Sequence, residues 1–272
     1  MKVSMQPTQI KLVIFDWAGT TIDHGCFAPI SAFIKAFKAC GVEVTPQQAR
    51  GPMGLHKQDH IRSLFQLDEI ASQWEALHQR PWSEDDVKQI YETFMPLQIE
   101  EAKLYTELVP GLCASLAPLK ERGIKIGSTT GYPRVVADPI LMSAREQGYS
   151  PDFSMCADEV PAGRPAPWMI YRNMETLGVY PPRAVIKVGD TVPDIEAGLN
   201  AGTWTVGLTQ TGSEVGLSVS ELEALTPEEK QQRLQAAETK LKNAGAHFVI
   251  PTLEGLSAII DQIEAGSVPY GC

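Results

Sequence analysis

Four short apolar runs rich in β-branched residues, each closed by a polar or glycine-bearing loop, set the strongest limit on how this chain can fold. They are Lys11 to Asp16 (KLVIFD), Ile124 to Thr129 (IKIGST), Ala184 to Asp190 (AVIKVGD) and Thr203 to Leu208 (TWTVGL), with His247 to Ile250 as a fifth candidate. Runs of this kind mark strands buried on both faces of a parallel sheet, whose carboxyl ends carry function. Helical patterns such as Leu112 to Arg122 and Trp168 to Leu177 lie between them. The alternation predicts an open α/β sheet with right-handed crossovers.

About a hundred residues separate the first strand from the second, and their texture is helical. Ile30, Phe33, Ile34 and Phe37 recur at i, i+3, i+4 and i+7, as do Val87, Ile90, Tyr91 and Phe94. Each set makes one apolar helix face. Thr45-Pro46-Gln47-Gln48 supplies an N-cap, a proline at the first helical position and a capping-box glutamine, so a helix should begin there and end at a loop near Gly51 to Leu55. Joints are expected near Ile22 to Gly25 and near Leu104 to Gly111. This divides the chain into a core of residues 1–22 and 105–272 and a helical cap of residues 23–104. The polar stretch from Ser218 to Asn243, with a capping box at Thr226 to Glu229, reads as a surface helix.

Charge narrows the partners. With 23 Lys plus Arg against 33 Asp plus Glu, the net charge is -10, a field that repels nucleic acid and anionic membrane. An anionic substrate must find a local positive site. Cys26, Cys40, Cys113, Cys156 and Cys272 are an odd, scattered set with no CxxC pair, which argues against a disulfide framework or zinc module and makes a reducing cytoplasm the expected compartment. Met1 to Gln9 lacks the apolar core of a signal peptide, and no apolar run approaches the ~20 residues of a membrane span.

Chemistry gathers at the strand ends. Asp16 closes the first run and leads into Trp17-Ala18-Gly19-Thr20-Thr21, a loop whose amides can surround an anion. A carboxylate there can be a nucleophile, a metal ligand, both, or simply the cap of a turn. Gly189-Asp190-Thr191-Val192-Pro193-Asp194 brings two more carboxylates to the same sheet edge if the strands are parallel. Three converging acids without a counter-ion would repel, whereas a magnesium ion accepts oxygen ligands and organises a phosphoryl group. Ser128-Thr129-Thr130-Gly131 offers hydroxyls for phosphate oxygens. Gly163-Arg164-Pro165 offers a guanidinium to balance Asp16 and a phosphoryl charge.

In this order, these segments resemble the haloacid dehalogenase superfamily, over essentially the whole chain. The resemblance implies a Rossmann-like core with an inserted α-helical cap and an aspartyl-phosphate formed on Asp16. It also implies magnesium held by Asp16, the Ala18 carbonyl and Asp190, with Asp194 completing the acidic pair. One position departs from the phosphatase pattern: the second aspartate of DxD is Ala18. That aspartate protonates an alkoxide leaving group, so a phosphate-ester hydrolase would be handicapped without it. A carbon leaving group drained as an enamine needs no such acid, but it does need an amine to form an imine.

The cap offers that amine. In Arg50 to His60 (RGPMGLHKQDH), Lys57 and His60 stand three apart and share a helix face, as imine-forming amine and proton carrier. FDWAGTT, CFAP, PMGLHKQDHIR, GSTTGY, DEVPAGRPAPWM and KVGDTVPD are similar to the signature segments of the phosphonoacetaldehyde hydrolase (phosphonatase) family. That resemblance implies a Lys57 Schiff base with a phosphonate aldehyde, attack of Asp16 on phosphorus and release of acetaldehyde and phosphate, in 2-aminoethylphosphonate breakdown. It implies catalytic roles for Thr130 and Arg164, substrate contacts from Ala18, Cys26, Met53, Gly54, Gly131 and Tyr132, and a homodimer. Lys57 must be partly deprotonated to attack, which desolvation under the cap and nearby positive charge would achieve. The rival readings are a phosphate-monoester phosphatase or phosphomutase, which needs an acid at position 18 and no cap lysine, and a non-catalytic phosphate-binding scaffold.

Overall fold

The computed structural model describes residues 9–268. Most of the N-terminal stretch read for a signal segment, Cys272 and the end of the tail from Gly266 lie outside the described residues. Along the chain come β1 (Leu12–Phe15), α1 (Phe27–Ala39), α2 (Pro46–Arg50), α3 (Lys57–Phe65), α4 (Asp68–His78) and α5 (Glu84–Leu104). Then follow α6 (Leu112–Glu121), β2 (Lys125–Thr130), α7 (Arg134–Glu146), β3 (Phe153–Cys156), α8 (Trp168–Thr176), β4 (Val185–Gly189) and α9 (Val192–Asn200). The last elements are β5 (Trp204–Leu208), α10 (Val219–Glu223), α11 (Pro227–Asn243), β6 (Phe248–Ile250) and α12 (Leu256–Glu264).

All strand pairs are parallel, in the order β3-β2-β1-β4-β5-β6. Placing β1 between β2 and β4 makes its carboxyl end the point where the chain's direction of travel across the sheet reverses, which is where open α/β sheets bind ligands. Leu12, Val13, Ile14 and Phe15 are all buried because both faces of the sheet are covered. On one face Val13, Phe15, Ile186, Val188 and Val206 pack with α6 and α12 through Leu116, Leu119, Leu256 and Ile260. On the other, Leu12, Ile14 and Val185 meet Ile170 and Met174 of α8 and Ala197 of α9.

Between β1 and α6, helices α1 to α5 build their own apolar core. Phe33, Phe37, Ile61, Phe65, Trp74, Val87, Ile90 and Phe94 are its buried centre; the helical spacing of α1 and α5 singles out Phe33, Phe37, Val87, Ile90 and Phe94 of these, whereas Ile34 and Tyr91 are only partly buried. Thr45 and Gln48 form the expected capping box at α2. Two connecting segments run side by side where this helical part joins the sheet, with Asp23 N donating to Glu107 O at 3.1 Å and Val109 N donating to Thr21 O at 2.9 Å. Asp23 also receives the amides of Phe27 and Ala28, both at 2.9 Å, and so fastens the start of α1. Among the described residues no helix is long and apolar enough to cross a membrane, and Cys26, Cys40, Cys113 and Cys156 are free thiols.

The structure adds an element that periodicity did not reveal. β3 (FSMC) pairs with β2 at the sheet edge. An edge strand is covered on fewer sides, and only Met155 and Cys156 of it are buried, so it lacks the continuous apolar run of the inner strands.

Candidate active site

The carboxyl ends of β1, β2 and β4 converge under the helical cap around a cavity with about 350 Å³ of free space, counting its mouth. Asp16, Ala18, Thr130, Gly131, Tyr132 and Arg164 line it from the sheet side, and Cys26, Met53, Gly54 and Lys57 from the cap side. Ten of the residues singled out in the sequence thus meet at one place. Pro29, Leu55 and Thr191 also line it; they lie within the CFAP, PMGLHKQDHIR and KVGDTVPD segments although no role is expected of them individually. Asp190 and Asp194 stand behind Asp16, with one oxygen of each of the three carboxylates within 4.8 Å of the others.

Asp16 lies one residue past β1, and its backbone is held from both sides. Its amide donates to Val188 O at 3.0 Å, and its carbonyl accepts from the Thr21 hydroxyl at 2.9 Å. Asp16 is 5% exposed, and its Oδ1 lies 3.0 Å from Arg164 Nη1. That contact is an ion pair without hydrogen-bond alignment, since Oδ1 has no hydrogen-bond partner. Burial raises the carboxyl to about pKa 6, opposed by Arg164 and reinforced by Asp194.

The two carboxylates of the GDTVPD loop behave differently. Asp194 sits in the first turn of α9, where the helix dipole favours an anion. It accepts from Thr191 Oγ1 at 2.6 Å, from Lys187 Nζ at 2.6 Å and from Arg164 Nη1. Burial pushes its pKa up, but Arg164 and Lys187 outweigh that and hold it at about 2. Among the described residues Asp190 accepts only from neutral donors, Thr20 Oγ1 at 2.9 Å and Ser213 N at 2.7 Å. Burial and the facing Asp16 and Asp194 drive its carboxyl well above the usual range. Lys187 therefore serves Asp194, Arg164 is shared between Asp194 and Asp16, and Asp190 has no cation partner among the described residues. Three hard carboxylates within reach of one another, with one Asp16 oxygen lacking a hydrogen bond, form a donor set that suits a divalent cation such as magnesium.

Lys187 was not picked out from the sequence. It is fully buried in the middle of β4, and a charged residue inside the otherwise apolar run AVIKVGD is the signal that marks it. Trp17 is tied in as well, through Nε1 donating to Ser128 Oγ.

Lys57 is the first residue of α3, at the end where the helix dipole disfavours a cation. The residue is only 6% exposed, and among the described residues Nζ makes no hydrogen bond or ion pair. It lies 5.4 Å from the Phe33 ring centre, 6.0 Å from Phe94 and 5.4 Å from Tyr132. Burial lowers its pKa from 10.5 to about 8; Arg164 pushes the same way, while Cys26 and Asp16 oppose. Desolvation and nearby positive charge are the two effects expected from the sequence.

His60 shares the buried face of α3 with Lys57 but does not border the cavity. Its ring stacks on Phe33 at 3.7 Å. Nε2 lies 3.0 Å from Ala49 O, an acceptor, so Nε2 carries the proton and the buried Nδ1 is left without a partner. Burial and Lys57 keep the ring neutral by lowering its pKa well below the usual value. Gly54, at φ +94, brings the cap loop against Thr191 and Pro193, where any Cβ would collide with the Thr191 hydroxyl. Thr130 Oγ1 accepts from Tyr132 N at 3.1 Å, which shapes the turn at the end of β2.

Comparison with known proteins gives the same picture. The family model described as haloacid dehalogenase-like hydrolase matches residues 10–202. A phosphonoacetaldehyde hydrolase of Bacillus cereus is 45% identical over 256 residues, 94% of this chain and 97% of its own. One from Syntrophobacter fumaroxidans is 44% identical over 264 residues, 96% of this chain and 95% of its own. The crystal structure of a phosphonoacetaldehyde hydrolase-like protein from Oleispira antarctica superposes with a TM-score of 0.94 at 40% identity, covering 97% of this chain and 96% of that one. With the Asp16, Thr130 and Asp190 strand ends and Lys57 gathered around one cavity, this chain belongs to the phosphonoacetaldehyde hydrolase family of haloacid dehalogenase-like hydrolases.

Proposed function

We propose that this enzyme hydrolyses the P–C bond of phosphonoacetaldehyde to acetaldehyde and phosphate, through a Schiff base on Lys57 and an aspartyl-phosphate on Asp16. The observation that carries the reading is the pairing of a buried, unbonded amine at Lys57 with Asp16 in one cavity where the second acid position is Ala18. A phosphate ester would find no proton donor at that position, and a β-carbonyl phosphonate needs none.

The amine of Lys57 adds to the aldehyde carbon and, with loss of water, gives an iminium. A carboxylate oxygen of Asp16 attacks phosphorus as the P–C bond breaks, and the electron pair moves into the iminium to give an enamine. Water hydrolyses the aspartyl-phosphate, restoring the Asp16 carboxylate and releasing phosphate. The enamine carbon takes a proton, and a second water releases acetaldehyde and the free amine, so one water is consumed overall. Arg164 pairs with Asp16 now and would face the phosphoryl oxygens during transfer. Thr130 and Gly131 supply hydroxyl and backbone groups to the same oxygens. Tyr132, Met53, Cys26 and Gly54 enclose the two-carbon unit, while His60, expected as the proton carrier, is stacked on Phe33 and does not border the cavity, so it packs the Lys57 face of α3 rather than touching substrate.

Asp16, the Ala18 carbonyl and Asp190 would hold magnesium, with Asp194 engaged chiefly in fixing Arg164 and Lys187. A bound divalent cation would neutralise phosphoryl charge at this edge. A homodimer acting in 2-aminoethylphosphonate breakdown completes the proposal on the family likeness alone, with the cytoplasm as its compartment on the scattered cysteines.

The test is to incubate the purified protein with magnesium and phosphonoacetaldehyde, following phosphate and acetaldehyde together, with borohydride trapping of wild type and Lys57→Ala. Equal release of both products, with an adduct only when Lys57 is present, is the expected result. Untouched phosphonoacetaldehyde, or normal cleavage by Lys57→Ala, would overturn it.

A further inference from the structure

Arg50 ends α2 in the cap, away from the cavity, yet its guanidinium gathers three backbone carbonyls from distant parts of the chain. Nη1 donates to Gly25 O at 2.6 Å and to Ser213 O at 3.4 Å, and Nη2 donates to Gly216 O at 3.1 Å. It lies over the Phe27 ring, 5.2 Å from its centre. Gly216 has φ +63, and a Cβ there would sit 2.6 Å from Arg50 Cζ. The loop after β5 is therefore shaped to receive this group.

That loop is also bound to the catalytic edge. Ser213 N donates to Asp190 Oδ2 at 2.7 Å. Thr211 Oγ1 donates to Gly19 O at 2.6 Å, and Gly25 N donates to Thr211 O at 2.8 Å. On the cap side, Met53 N donates to Arg50 O at 3.1 Å. The chain then passes through Gly54 and Leu55, which line the cavity, to Lys57. Arg50 thus stands where the chain that positions the amine meets the loop that orients Asp190.

We infer that Arg50 is a positioning residue, a latch that fastens the cap loop leading to Lys57 onto the 209–217 loop and sets the amine and the acidic seat as one unit. The forked guanidinium suits this task because it reaches carbonyls on separate segments at once, which a lysine ammonium on a single stem does not. For catalysis the inference rests on the proposed role of Lys57, but the physical coupling does not.

Hydrogen exchange and kinetics on full-length Arg50→Lys and wild type separate the two. In the variant, without substrate, amide exchange should rise about tenfold or more in residues 51–57 and 209–217 together, with α1 and α5 unchanged. KM for phosphonoacetaldehyde should rise, and borohydride trapping at Lys57 should slow, each by about tenfold, with a smaller change in kcat. Gly216→Ala, which crowds the guanidinium from the other side, should reproduce the same pattern. Faster exchange confined to residues 51–57, or unaltered exchange in both variants, would overturn the latch. If wild type fails to cleave phosphonoacetaldehyde, the functional reading falls while the exchange data still decide the coupling.

Discussion

Replacing Lys57 by methionine should stabilise the fold, by an amount that depends on pH. Lys57 is buried, and its pKa falls from 10.5 to about 8, chiefly through desolvation of the ammonium. Because the folded value lies below the unfolded one, the unfolded chain binds more protons between them, and stability rises with pH across that window. Below about pH 8 the penalty for the buried cation is fully present, and above 10.5 it is gone. At ~1.4 kcal/mol per tenfold, the full penalty is about 3 kcal/mol. Methionine keeps the length and apolar body of the side chain and has nothing to protonate. Urea unfolding without added divalent cation should therefore show Lys57→Met more stable by about 3 kcal/mol near pH 7 and by roughly half that near pH 9.5. A packing difference between the two side chains is constant with pH, so the change between the two conditions is what tests the reasoning. A stability difference that stays level, or grows with pH, would refute it.

Three further outcomes follow from the site. Asp16→Asn should cut phosphate release by at least about 10³-fold while leaving borohydride trapping at Lys57 intact, because imine formation does not use the nucleophile; loss of trapping would contradict that division of labour. Asp194→Asn strands Lys187 and Arg164 in the interior and should cost about 3 kcal/mol or more in chemical denaturation near neutral pH. Since the folded pKa of Asp194 is lowered from 3.8 to about 2, the carboxylate's share of stability is present above pH 3.8 and disappears as the pH falls through about 2. The gap between wild type and variant should close over that range. Gly54→Ala combines a φ of +94 with a collision at Thr191, whereas Gly123→Ala has φ +69 and nothing within 4 Å of the added carbon. Thermal melts should show the Gly54 variant losing more stability than the Gly123 control, which isolates backbone strain of about 1–3 kcal/mol.

Much of the architecture was legible because buried parallel strands and amphipathic helices impose different periods on their apolar residues. β1, β2, β4 and β5 declare themselves by continuous apolar runs, and α1 and α5 by Phe33, Phe37, Ile90 and Phe94. β3 escaped that logic because an edge strand does not need to be apolar on every side. His60 shows the limit of spacing: it shares the buried face of α3 with Lys57, as i and i+3 require, yet Phe33 packs against its ring and it does not border the cavity. Helical spacing places two residues on one face without saying what lies between them and the ligand.

The sequence by itself determined which chemistry was available. It placed Asp16 at a strand end, alanine where a proton donor would stand, and a lysine in the inserted helices, because identity and order along the chain need no third dimension. Only the tertiary structure decided how charge is shared among these groups. Lys187 and Arg164 converge on Asp194, Arg164 also pairs with Asp16, and Asp190 is left to neutral donors, while Arg50 reaches loops 25 and 166 residues away. Electrostatic interaction and desolvation depend on distance and burial, which are properties of the folded chain rather than of its residue order.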